Sequence, residues 1–120
     1  MRLAVLLFLV SAPVFAGTWS GSLVDAKCFA ARERNVNPTD TLTAVDRDQN
    51  QEIRYCSPRL KTKAFAIIPA DGPGFALDSA GNAKAAEFVR NAGRKPRFAV
   101  VVTGELKNST ISVNSISAPR

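Results

Sequence analysis

The run Arg97–Leu106, RFAVVVTGEL, is β-branched and apolar almost throughout, and it is the strongest strand signal in the chain. Its near-continuous apolar character predicts a central strand buried on both faces. Four weaker strand signals accompany it. TWSGSLVD places Trp19, Gly21 and Leu23 on one face, with Trp19 as a core anchor. KAFAIIPA is stopped by Pro69, DGPG supplies a turn, and FALD returns, so Lys63 to Asp78 reads as a hairpin. After KNST turns the chain, ISVNSI resumes with Ile111 and Val113 on one face; Ile116 falls out of phase, which predicts a bulge or an end. Between the third and fourth strands, SAGNAKAAEFVRNAGRK carries Ala85, Ala86, Phe88, Val89 and Ala92 at helical spacing. Asn82 is the expected cap of that helix and Gly93 its end. Five short strands cannot leave two long edges bare without inviting aggregation. The economical solution is a small, mainly β barrel with the helix plugging one end.

The N-terminal stretch MRLAVLLFLVSAPVFA has a positive charge at Arg2, an apolar run from Leu3 to Val10, a break at Pro13, and small residues before a cut after Ala16. This three-part pattern is that of a secretory signal over 1–16. The run is far short of the roughly 20 apolar residues that span a bilayer. Gly17 follows the cut instead of cysteine, so no lipid anchor is expected there. No other run is long enough to span, and 17–120 reads as one small, monomeric domain.

Such a domain has a modest core and benefits from a covalent brace. Cys28 and Cys56 are the only thiols. An even pair in an exported chain reads as a disulfide. Closing that loop is worth about 3.6 kcal/mol in the chain-entropy treatment. Two cysteines with no histidine are too few soft ligands for structural zinc, and the spacing is not that of a Cys-x-x-Cys redox pair. AKCFAARERN is expected to make a short helical turn. The polar stretch from Asn35 to Gln51, with Pro38 and several threonines and aspartates, reads as a surface loop within a long cysteine-flanked segment of about 29–55.

The element order resembles the OB-fold, a five-stranded Greek-key barrel whose helix lies between its third and fourth strands. Trp19-Ser-Gly21-Ser-Leu23-Val-Asp25-Ala-Lys-Cys28, Gly81-Asn82-Ala-Lys84-Ala85, Val100-Val-Val102-Thr-Gly104-Glu-Leu106 and Ile111-Ser-Val113-Asn-Ser-Ile116 are together similar to a family of small exported bacterial proteins. More distantly, the chain is similar to periplasmic bacterial OB-fold proteins, thought of as ligand-binding or stress-related modules. The resemblance implies an OB-like barrel and a periplasmic or extracellular address; it transfers no activity. Against shorter members of the family, the stretch from Asn35 to Gln51 looks extended.

With no histidine, imidazole general acid–base catalysis and a Ser-His-Asp triad are excluded. Asp25 and Glu105 read as surface acids with nothing in the sequence to make them converge. DRDQNQ, from Asp46, sets oxygen ligands at alternate positions as a calcium loop begins. Gln51 and Ser57 then stand where glycine and a bidentate acid are required, so Asp46, Asp48 and Asn50 read as a solvated turn. No catalytic residues, metal ligands or cofactor are assigned, and an envelope hydrolase or nuclease is the least favoured reading.

The charge pattern carries the functional lead. The net charge is +6, but its distribution says more than its total. From Ile53 to Ala70 the cations are Arg54, Arg59, Lys61 and Lys63, with no acid; from Phe88 to Gly104 they are Arg90, Arg94, Lys95 and Arg97, again with no acid. Arg59, Lys61 and Lys63 precede the second strand, and Arg94, Lys95 and Arg97 lead into the fourth. If these ends meet, they form a cationic rim for an anionic polymer or envelope component. The alternative is that they are solvated charges serving solubility, with the 35–51 stretch acting as a protein-interaction segment.

Overall fold

The computed structural model describes residues 15–36, 42–70 and 72–120. The residues expected as a leader lie outside these up to position 14, and Phe15 and Ala16 already belong to the first strand. The strands are β1 (Phe15–Asp25), β2 (Phe65–Pro69), β3 (Phe75–Leu77), β4 (Phe98–Lys107) and β5 (Thr110–Ser117). The helices are α1 (Ala26–Val36) and α2 (Leu42–Tyr55) between β1 and β2, and α3 (Ser79–Ala92) between β3 and β4.

The strands close into a barrel in the order β1-β2-β3-β5-β4. The long strand β1 is the hinge of this closure. It pairs antiparallel with β4 from Phe15↔Leu106 to Leu23↔Phe98, and with β2 from Gly21↔Pro69 to Asp25↔Phe65. β3 pairs antiparallel with β2 and parallel with β5, through Leu77↔Ile111. β4 and β5 form a hairpin whose turn residues, Asn108 and Ser109, both have positive φ. That pair of left-handed residues matches the right-handed twist of the flanking strands. Thr103 pairs with Ser115 and Gly104 with Val113, so Asn114 is an extra residue in β5. The bulge rephases the strand and returns Ile116 to the side of the core, against which it packs.

The barrel interior holds Leu23, Phe65, Ile67, Phe98, Val100, Val102, Ile111 and Val113, with Ala85 and Val89 entering from α3. Trp19 is half-buried against this core and meets Phe75 at 6.2 Å between ring centroids. β4 differs from expectation. Phe98, Val100 and Val102 are buried, but Ala99 is exposed and Val101 half-buried. A closed barrel gives each strand one inner face, so β4 alternates even though its sequence does not.

Asp78, and not Asn82, caps α3: its carboxylate accepts from Gly81 N–H at 2.8 Å. The same oxygen accepts from Val113 N–H at 3.2 Å, which stitches the helix start to β5. Burial alone would raise the Asp78 pKa, but these bonds and one from Ser112 together hold it below the ordinary carboxylate value. Asn82 instead accepts the N–H of Phe65 at 2.9 Å, satisfying the first donor of β2. Gly93 ends α3 with φ 81°, as its position in the sequence predicts.

The largest departure lies between the cysteines. The segment expected as a loop from Asn35 to Gln51 is helical over Leu42–Tyr55, and α1 extends to Val36; the intervening residues 37–41 lie outside the described ones. Gln, Glu and Arg are good helix formers, and α2 has only a thin apolar stripe to advertise itself. That stripe is completed by Ile53 and Cys56, which pack with Val24 and Ile68 into a second cluster on the outer wall of β1 and β2. The Cys28–Cys56 disulfide, Cα–Cα 5.5 Å, pins α1 to the end of α2 within this cluster. The backbone joins in as well, with Asp25 N–H donating to Cys56 C=O at 2.8 Å.

Candidate functional site

β2 and β4 both run antiparallel to β1, so both start at the barrel end where β1 finishes. The connectors leading into them therefore arrive at the same place. One connector, Ser57–Ala64, leaves α2; the other, Gly93–Arg97, leaves α3. Ser57 Oγ donates to the carbonyl of Lys95 at 2.9 Å and joins the two. The first connector is folded on itself at Arg59 and Thr62. Arg59 N–H donates to Thr62 Oγ1, and Thr62 N–H donates to the Arg59 carbonyl, each at 3.0 Å.

Asp25 anchors that turn to the barrel. Its Oδ2 accepts from Thr62 Oγ1 at 2.9 Å, and its Oδ1 accepts from Cys28 N–H at 3.1 Å at the start of α1. Asp25 is thus half-buried and bonded at both oxygens, where the sequence reading had a surface acid. Glu105 is exposed and pairs with Ala16 near the other end of β1. Nine residue steps along the strand separate Ala16 from Asp25, roughly 30 Å. These two carboxylates cannot share one substrate. Asp46, Asp48 and Asn50 lie within α2, a regular helix. A calcium loop needs an irregular backbone there. Among the described residues, no group of three or more His, Cys, Asp or Glu gathers at one place.

Two adjoining clefts open at the joined connectors. One, about 320 Å³, is lined by Arg54, Tyr55, Ser57, Pro58, Arg59, Arg94, Lys95 and Pro96. The other, about 480 Å³, is lined by Pro58, Arg59, Leu60, Lys61, Val89, Arg90, Gly93 and Arg94. Arg59 and Arg94 belong to both, and no carboxylate lines either. Of the six cations singled out in the sequence, Arg59, Lys61, Arg94 and Lys95 are gathered here. Lys63 is exposed and lines neither cleft. Arg97 points its Nε at Ser22 Oγ, 2.9 Å away, on the outer wall between β1 and β4. That bond satisfies Ser22, which is only 3% exposed.

Arg54 and Arg90 join the clefts although neither was among those six. Both lie in the last turn of a helix, where a cation also complements the helix dipole. Both belong to the acid-free runs of the sequence; what the runs leave out is that the ends of α2 and α3 stand beside the connectors. Among the described residues, the exposed large hydrophobic side chains are Tyr55 (62%) and Leu60 (77%), and both stand at these clefts. The Arg32 guanidinium lies 4.3 Å from the Tyr55 ring centroid and covers one of its faces. Phe65 and Phe98 are buried, and Phe75 and Phe88 pack half-buried against the core.

No family profile, curated protein or solved structure matches the chain.

Proposed function

We propose that the chain is an exported binding module of OB-like type that holds an anionic ligand, such as an acidic polymer or envelope component, at the basic end of its barrel. The observation that carries this reading is the meeting of two acid-free basic segments across the Ser57–Lys95 bond. Cations so placed raise the local concentration of an anion and neutralise its phosphates or sulfates. The turn that presents Arg59 is fixed by Thr62 and Asp25, so binding orders little new backbone. Export is supported by the leader pattern and the closed disulfide. Among the described residues, no helix is long and apolar enough to cross a membrane.

The test is retention on immobilised heparin, lipopolysaccharide and single-stranded DNA across a salt gradient. Retention at low salt that fades as salt rises is expected; no retention at low salt ends the reading. With single-stranded DNA, the double variant Arg59→Glu, Arg94→Glu should flatten the slope of log affinity against log salt by about 1.4, the value for two lost phosphate contacts. Lys107→Glu, at the far end of β4, should leave it unchanged. Mass spectrometry of exported protein should find Gly17 at the N-terminus and no free thiol.

A further inference from the structure

We propose that the basic end of the barrel docks on an anionic lipid surface, with Leu60 entering the interfacial layer while the surrounding cations engage lipid phosphates. This names the partner of the same site and rests on the anionic-ligand reading. Three observations favour a lipid surface over a soluble polyanion.

The first is Leu60 itself. It is 77% exposed and stands between Arg59 and Lys61 at the tip of the connector. A leucine held in water forfeits burial that a lipid interface supplies and a sulfated polysaccharide does not. The turn that displays it is fixed by both Arg59–Thr62 bonds and by Asp25, so the backbone that presents Leu60 is held in place.

The second is the wall beside it. In the larger cleft Leu60, Pro58 and Val89 adjoin Arg59, Lys61 and Arg90, so apolar surface and positive charge occur within one cleft. An acidic headgroup joined to hydrocarbon has that same division. The third is the aromatic ring. A single-strand reader stacks bases on open aromatic faces, and here Tyr55 has one face already covered by Arg32.

The experiment uses the disulfide-bonded chain as recovered from the expressing cell, with vesicles of phosphatidylglycerol and phosphatidylcholine, vesicles of phosphatidylcholine alone, and immobilised heparin. Every variant carries the same N-terminus, so differences between them read this end of the barrel. Sedimentation with the phosphatidylglycerol vesicles only is expected. Leu60→Ala and Leu60→Asp should weaken it by about tenfold or more, and Leu60→Ala, which changes no charge, should leave heparin retention and the melting temperature unchanged. Arg59→Glu with Arg94→Glu should abolish binding to both vesicles and heparin. Leu60→Trp should bind at least as well as the parent and shift its emission to the blue on phosphatidylglycerol vesicles; Trp19 alone, in the parent chain, should not shift. Heparin retention without vesicle binding overturns the lipid proposal and leaves the anionic-ligand reading standing. Vesicle binding indifferent to both Leu60→Ala and Leu60→Asp also overturns it, as does preferential binding of single-stranded DNA lost in Tyr55→Ala. Failure to bind vesicles, heparin and DNA alike overturns both.

Discussion

Asp78 does two jobs with one oxygen, capping α3 through Gly81 and holding Val113 of β5. Because those bonds favour its charged form, its carboxyl stays ionised to lower pH in the folded chain than in the unfolded one. The stability it contributes is therefore fully present above the ordinary carboxylate pKa and is lost as pH falls through the lowered, folded value. Urea unfolding at neutral and acid pH should show that loss in the parent and a flatter acid limb in Asp78→Asn, which keeps an acceptor without the charge. Asp78→Ala should cost about 1 to 2 kcal/mol at neutral pH. Asn82 is a case of right residue and wrong task. Its type and position fit a helix cap, yet Asp78 lies in the capping position and Asn82 reaches across to Phe65. Removing that acceptor strands the N–H of a buried residue, so Asn82→Ala should lower unfolding stability by about 1 to 3 kcal/mol. Asn82→Asp should restore most of it.

At the scale of elements, strands were legible and the second helix was not. β2, β3, β4 and β5 announced themselves through β-branched and aromatic runs cut by proline, glycine and asparagine. Ile116 even disclosed the irregularity at Asn114, because an apolar residue out of phase has to be accommodated somewhere. Gly104 belongs to that irregularity: a Cβ there would collide with the backbone carbonyl of Ser112. Gly104→Ala should destabilise the chain by about 1 to 3 kcal/mol as β4 and β5 are pushed apart, read from chemical unfolding. What hid α2 was its dependence on a neighbour. Its polar surface looks like a loop until the covalent link places Ile53 and Cys56 against Val24 and Ile68. Replacing both cysteines by serine should cost about 3 to 4 kcal/mol in unfolding stability, with helical dichroism fading before the barrel's cooperative transition.

For the whole molecule, the basic end shows what a linear reading holds and what it leaves open. Both acid-free runs are visible in the sequence, and nothing in either run says that they meet. Their meeting follows from β1 pairing with β2 on one side and β4 on the other, a long-range fact of closure. Closure also decided which cations took part: Arg97 was drawn to the outer wall by Ser22, and Arg54 was brought in by a helix the sequence concealed. Cys56 lies between Tyr55 and Ser57, the first lining a cleft and the second fastening Lys95. The sulfur bridge is thus a clasp for the basic clefts as much as a strut for the domain. On the proposed anion-binding reading, the grip should slacken in a thiol-rich setting while the five strands still hold their shape, which would couple affinity to how oxidising the surroundings are.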